Sequence, residues 1–231
     1  MKKSAIIISC EHAVNTIPEN YQSLFRHQLT ILDSHRAIDH GAIEIAKHFS
    51  QVLNCPLFEA TVSRLLIDCN RTLTHRNCFS EFTRELSNDA KQIIIEHYYR
   101  PYRQAVETVI QDNIKKGLQV IHLSIHSFTP VMNNIKRNTE IGLLYDPSRL
   151  SEKQLAAQWR MAILNEDTQY RIRLNYPYRG ISDGFVSALR KIHPEQHYVG
   201  IEVESNAALT SSQATLNALS QRLVSSFKQL I

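Results

Sequence analysis

The chain has 231 residues, enough for a domain with a substantial buried core. Hydrophobic residues make up 43% and charged residues 21%, which is ordinary for a globular protein and unlike a disordered chain. The net charge is +4, but the lysines and arginines are scattered, so we expect no nucleic-acid-binding surface. No apolar run approaches membrane-spanning length, so we expect no membrane span. The four cysteines form no C-x-x-C pair, and we expect free thiols in a reducing cytoplasm.

Short apolar runs alternate with longer stretches in which apolar residues recur at helical spacing. In chain order, the sequence predicts a strand at 5–9, a helix at 41–53, a strand at 61–67, a helical region at 88–116, strands at 120–125 and 141–145, a helix at 151–164, a strand at 198–203 and a helix at 211–230. Pro101 is expected to kink or divide the helical region that contains it.

The predicted strands are rich in isoleucine, valine and leucine, a pattern typical of strands covered on both faces. We therefore predict an α/β fold in which a mostly parallel, mixed sheet is flanked by helices on both faces. With no repeat and no convincing linker, one domain over residues 1–231 is the simplest interpretation. Two polar segments without periodicity, 70–85 and 128–139, are predicted to be site-forming loops.

Ionisable residues follow several predicted strands at the point where each apolar run ends. The first run leads to His12, the second to Arg71, the third to His126, and the last contains Glu204. Because the carboxyl ends of parallel strands meet at one edge of a sheet, we expect these four side chains to converge there.

Two histidines and a carboxylate form a common catalytic zinc site when one coordination position stays open. Such a metal lowers the pKa of a bound water toward neutrality. A histidine taken alone is more often a surface or core residue, and the H-E-x-x-H motif is absent. The spacing of these residues therefore indicates a zinc site without fixing its ligands.

Four segments occur in an order that resembles the N-formylglutamate amidohydrolase family. They are residues 9–13 (SCEHA), 63–71 (SRLLIDCNR), 126–128 (HSF) and 201–204 (IEVE). Two further segments, 99–103 (YRPYR) and 175–180 (NYPYRG), are also similar to that family. The resemblance covers nearly the whole chain, and its most specific part is the S-R-x-x-x-D-x-N-R element. It implies hydrolysis of the amide bond of an N-acyl amino acid, with formylglutamate as the first expectation.

This family is similar in fold to zinc carboxypeptidases, a phosphorylase/hydrolase-like α/β fold, and that likeness implies a role for each matching position. His12 and His126 match the histidine ligands of zinc. Asn70 and Arg71 match a pair that grips a substrate carboxylate, a task suited to a planar guanidinium. Arg64 is expected to stabilise the oxyanion, and Glu204 is expected to act as general base.

The third protein ligand is open because the carboxypeptidase motif H-x-x-E ends here on Asn15. Asp39 is the first candidate and Glu11 the second, although Asp39 is equally suited to capping the helix that follows it. Asp68 is expected to orient Arg64 or Arg71 rather than to react. Arg137, in the loop after His126, is a candidate for binding a substrate carboxylate; the alternative is a solvated surface arginine.

These residues predict a zinc-dependent amidohydrolase whose partner is a small N-acyl amino acid. A zinc carboxypeptidase or another N-acyl amino acid deacylase would use the same site. A metal-free ligand-binding domain on the same fold is the alternative from another class, and Asn15 is the residue that favours it. A serine or cysteine hydrolase is disfavoured because no G-x-S-x-G motif is present.

Overall fold

A computed structural model describes residues 4–166 and 168–231. The strands are β1 (Ser4–Cys10), β2 (Leu57–Glu59), β3 (Gln119–Phe128), β4 (Val131–Met132), β5 (Ile135–Lys136), β6 (Ile141–Leu144), β7 (Ile172–Leu174) and β8 (Tyr198–Asn206). The α-helices are α1 (Ala42–Leu53), α2 (Asn88–Ile94), α3 (Arg100–Lys115), α4 (Leu150–Glu166), α5 (Phe185–Ile192) and α6 (Gln213–Lys228). Short 3-10 helices span Glu19–Phe25, Leu29–Asp33 and Ala207–Leu209.

Six strands form the central sheet, in the order β2-β1-β3-β8-β6-β7. The first four of these are mutually parallel, while β6 runs antiparallel to β8 and parallel to β7. The remaining pair, β4 and β5, forms a separate antiparallel hairpin whose turn residues Asn133 and Asn134 both have positive φ. The predicted mostly parallel, mixed sheet is confirmed.

Helices cover both faces of the sheet, as predicted. On one face α1, α4 and α6 pack around the aromatic rings of Phe49, Trp159 and Phe227, whose centroids lie 4.7–6.1 Å apart. On the other face the sheet packs against α3, α5 and the irregular segment 60–82. Burial of both faces explains why β1, β3 and β8 are rich in apolar residues. Within residues 4–166 and 168–231, no helix is both long and apolar enough to cross a membrane.

The predicted strand at 61–67 is wrong. The sheet strand in this region is the shorter β2 at 57–59, and residues 61–67 form an irregular segment with a bend at 61–62 and a turn at 64–66. Ser63 stabilises this segment, because its hydroxyl donates to the carbonyl of Ala37 at 3.0 Å and its own carbonyl accepts from the backbone N–H of Leu66. The apolar side chains of the segment are buried in the core, and an apolar run has the same pattern in a buried turn as in a strand.

The predicted helical region 88–116 is confirmed, and it is interrupted near Pro101 by a change of helix type, without leaving helical geometry. A π-helical turn (Ile95–Tyr99) joins α2 to α3, and Pro101 lies in the first turn of α3, where a missing backbone N–H costs little. Helix α5 and strand β7 were not predicted.

Candidate active site

A cavity of about 440 Å³ opens at the carboxyl ends of β1, β3 and β8. Its lining includes seven of the eight residues to which the sequence assigned a first-choice role in catalysis, substrate binding or metal binding, namely His12, Asp39, Arg64, Asn70, Arg71, His126 and Glu204. The eighth, Arg137, lies beside the cavity and contacts Met132 and Tyr178, which do line it. The expected convergence of His12, Arg71, His126 and Glu204 is therefore present.

Three buried side chains in this cavity offer metal-ligand atoms that all lie within 4.8 Å of one another: His12, Asp39 and His126. The Oδ2 atom of Asp39 lies 3.1 Å from Nδ1 of His12 and 2.9 Å from Nδ1 of His126. Two imidazoles and one carboxylate, facing an open cavity, are the donor set of many catalytic zinc sites. The chemistry of these three residues therefore fits zinc.

The side chain of Asp39 does not cap helix α1, so that alternative is wrong. The residue before α1 is Gly41, with φ of 79°, and it is the backbone carbonyl of Asp39 that accepts from the N–H of Ala42. The carboxylate of Asp39 points into the cavity, where it also accepts from the backbone N–H of Ser127 and pairs with Arg64 at 3.3 Å. Burial raises its pKa, but the charges of His12 and Arg64 and the hydrogen bonds with His12 and His126 together outweigh burial and hold the pKa well below its usual value.

The second ring nitrogen of each histidine faces another buried carboxylate. Nε2 of His12 lies 2.8 Å from Asp68, and Nε2 of His126 lies 3.0 Å from Glu11. Metal-binding histidines characteristically donate their other N–H to a carboxylate, which fixes the tautomer and the ring orientation. Glu11 is thus placed behind His126 and outside the group of three candidate ligands.

The arginines of the cavity are held by Asp68. Arg64 Nη2 lies 3.2 Å from Asp68 Oδ2, and Arg71 Nε lies 3.9 Å from the same oxygen. Arg71 also donates to the backbone carbonyl of Asp183, so it is fixed from two directions. Asn70 also contacts Asp68, since its backbone N–H donates to that carboxylate at 2.9 Å. The side-chain oxygen of Asn70 accepts from the backbone N–H of Phe185. The predicted orientation of the arginines by Asp68 is therefore present.

Glu204 lies opposite His126 in the register of β3 and β8 and is 5% exposed. Within the described part of the chain its Oε2 atom is buried without a hydrogen-bond partner. Burial raises the pKa of this carboxyl to about 7, with further contributions from the charges of Asp39 and Glu202. A carboxyl whose pKa lies near neutrality is suited to accepting and releasing a proton.

One wall of the cavity was missed. The segment after Asn175 contributes Tyr178, Arg179, Ser182 and Asp183, and β6 contributes Leu144. Asn175 shapes this segment, since it has φ of 52° and its side-chain oxygen accepts from the backbone N–H groups of Tyr145 and Gly180. The NYPYRG motif was the signal, but the sequence does not show which surface such a loop lies against.

Two glycines let this wall lie directly on the sheet. A Cβ atom added to Gly142 in β6 would lie 1.9 Å from the carbonyl oxygen of Tyr176, and one added to Gly180 would lie 2.4 Å from the backbone of Tyr145. Only a residue without a side chain fits at either position.

Asn15 points away from the cavity, and its side-chain amide donates to the carbonyl of Leu32 at 2.9 Å. The position of Asn15 therefore has no bearing on the ligand set. His75 lines the cavity, whereas His122 is buried beneath it and bonds Tyr198 and Ser9.

Comparisons with known proteins agree with this geometry. The sequence model of the family described as "N-formylglutamate amidohydrolase" matches residues 4–209. A crystal structure of a gene product from Agrobacterium tumefaciens is similar to this chain with a TM-score of 0.84 and 25% identity, over 99% of this chain and 90% of that one. The crystal structure of N-formylglutamate amidohydrolase from Ralstonia eutropha is similar with a TM-score of 0.70 and 17% identity, over 100% and 93% of the two chains. No curated protein matches the sequence significantly. Because the family match spans most of its length, this chain belongs to the N-formylglutamate amidohydrolase family.

Proposed function

We propose that this protein is a zinc-dependent hydrolase that cleaves the amide bond of an N-acyl amino acid, with N-formyl-L-glutamate as the first substrate to test. The observation that carries the proposal is the placement of His12, Asp39 and His126 in one cavity with the buried, unpartnered carboxyl of Glu204. Family membership supports amide hydrolysis, and the donor set supports zinc.

His12, Asp39 and His126 would hold the metal, since their donor atoms converge and the cavity leaves room for a further ligand. Zinc bound there would supply Lewis acidity, which polarises the amide carbonyl and lowers the pKa of water. Asp68 and Glu11 would keep the two imidazoles in the orientation that the ligands need.

Glu204 would accept a proton from the attacking water and pass it to the nitrogen of the departing amine. Its Oε2 atom is free for this purpose, and a pKa near 7 allows both halves of the transfer. Water then adds across the C–N bond, so the products are a carboxylic acid and a free amino acid. Arg64, which lies next to Asp39, would stabilise the negative charge that develops on the carbonyl oxygen.

Arg71 and Asn70 would anchor the substrate carboxylate, because both line the cavity and Arg71 is oriented by its ion pair with Asp68 and its hydrogen bond to Asp183. Arg137 stacks on Tyr178 at 5.3 Å, and from this position at the edge of the cavity we propose that it contacts a carboxylate of the substrate. A cavity of about 440 Å³ is in the range of small-molecule sites.

The experiment that tests the proposal is a screen of the zinc-loaded protein against N-formyl, N-acetyl and peptide substrates, with release of free amine as the measurement. We expect the fastest release from an N-formyl amino acid. Faster release from a peptide carboxyl terminus would favour the carboxypeptidase alternative. Absence of release from every substrate, with zinc bound, would refute the amidohydrolase. Absence of zinc binding would instead favour the ligand-binding alternative.

A further inference from the structure

Glu11, directly after β1, is a buried carboxylate behind the candidate zinc site. It is 1% exposed and receives donors from several elements. Its Oε2 atom lies 3.0 Å from Nε2 of His126 and accepts from the hydroxyl of Ser124 at 2.6 Å. Its Oε1 atom accepts from the hydroxyl of Tyr102, on α3, at 2.7 Å.

A buried carboxylate is strongly unfavourable unless its oxygens are satisfied, and here tyrosine, serine and histidine satisfy both oxygens. Glu11 does not line the cavity, so it does not reach a substrate directly. Its contact with the site is through His126, whose opposite nitrogen faces Asp39 at 2.9 Å. The side chain of Glu11 therefore contacts the site through the imidazole of His126.

We propose that Glu11 is a positioning residue for the metal site, held by Tyr102 and Ser124, and that it fixes His126 in the tautomer that presents Nδ1 to the metal. The inference rests on the proposed function, because it takes His126 to be a zinc ligand. A neutral imidazole carries its proton on one nitrogen only. A negative oxygen at Nε2 keeps the proton there, so that the lone pair of Nδ1, on the side of the ring that faces the His12 and Asp39 donors, is available to a metal.

Tyr102 allows a second test of the proposal, because it contacts Glu11 without contacting His126 through its hydroxyl. Its hydroxyl reaches Glu11 from the helix layer, across a distance that a phenylalanine cannot bridge. Removal of this donor leaves Oε1 of Glu11 unsatisfied, while the ring of Tyr102 can keep its packing against Phe185. The Tyr102→Phe variant therefore perturbs Glu11 with minimal change in the volume of the core.

The experiment measures the zinc affinity of metal-free, folded protein by competition with a chromogenic chelator. Loss of a carboxylate partner from a metal-binding histidine weakens affinity by about 10–100-fold, so we expect a loss of this size for Glu11→Gln. We expect a smaller loss, about three-fold, for Tyr102→Phe, because only part of a lost hydrogen bond is transmitted. Tyr98→Phe is the matched control because it also removes a tyrosine hydroxyl, but the ring of Tyr98 contacts that of His97. The zinc affinity of this variant should equal that of the wild type.

A purely structural role for Glu11 would lower the free energy of unfolding without changing zinc affinity of the folded protein, and that result would overturn the proposal. If Glu11→Gln does not fold, wild-type affinity in Tyr102→Phe overturns the proposal by itself. A wild-type protein that binds no zinc would remove the proposed function and this inference together, whereas tight wild-type binding with unchanged variants removes only the inference.

Discussion

Glu204→Gln is the substitution that separates the chemistry of the site from its stability. Burial displaces the pKa of Glu204 from 4.5 to about 7, and each pH unit corresponds to about 1.4 kcal/mol, so ionisation of this buried carboxyl costs the folded protein about 3 kcal/mol. A raised pKa means that the folded state binds the proton more tightly than the unfolded state does. The contribution of Glu204 to the free energy of unfolding is therefore most favourable below pH 4.5 and falls as pH rises toward 7. Glutamine does not titrate and avoids this cost.

In zinc-free protein, the stability of Glu204→Gln relative to the wild type should therefore increase by about 2–3 kcal/mol between pH 5 and pH 8. Urea denaturation at the two pH values, with chelator present, measures the difference. The same variant, loaded with zinc, should lose turnover by about 10²–10⁴-fold, the usual contribution of a general base. Glu85→Gln is a suitable control because its side chain is 89% exposed. A stability difference that does not change with pH would refute the reasoning about burial, and retained turnover would remove Glu204 from the role of base.

Other expected outcomes test the remaining parts of the site. Arg71→Ala should raise KM about 10–100-fold for substrates with a free carboxylate and leave carboxamide analogues unchanged; an equal effect on both would contradict anchoring. A chelator should lower the Tm reversibly, since zinc at 1,000 times its Kd adds about 4 kcal/mol; an unchanged Tm in a thermal scan would count against a zinc site. Gly142→Ala should lower stability to urea by about 1–3 kcal/mol, because its methyl group would overlap the carbonyl of Tyr176; wild-type stability would show that the wall can shift. Burial lowers the pKa of His122 to about 4, so its NMR signals should report a neutral ring down to that pH, and protonation near pH 6.5 would contradict the packing.

The sheet and the long helices could be predicted because their signals are local. Runs such as 120–125 are rich in isoleucine, valine and leucine, and in the structure β3 is covered on both faces. The position of His126 followed directly, since polar residues at the carboxyl end of a parallel strand face the ligand edge. The mistaken strand at 61–67 shows the limit of this signal, because buried turns and buried strands share the same composition.

The hydrogen bonds that hold the candidate ligands in place could not be predicted from local patterns. The contact between Tyr102 and Glu11 joins residues that lie 91 positions apart in the sequence. Asp68 was expected to orient an arginine, but its contact with His12 spans 56 positions and has no local signature. Such contacts depend on the packing of helices and turns onto the sheet, which periodicity does not specify.

The close approach of the segment after Asn175 to the sheet has a consequence for how substrates enter. Backbone lies against backbone at Gly142 and Gly180. At these two points no side chain lies between the wall and the sheet, so the wall cannot shift by rotation of a side chain. Selectivity along this side is therefore set by the side chains that project from a fixed frame, chiefly Tyr178. Changes in substrate preference among related proteins should accordingly arise from exchange of such side chains, or from the β4–β5 hairpin, while the two glycines stay invariant.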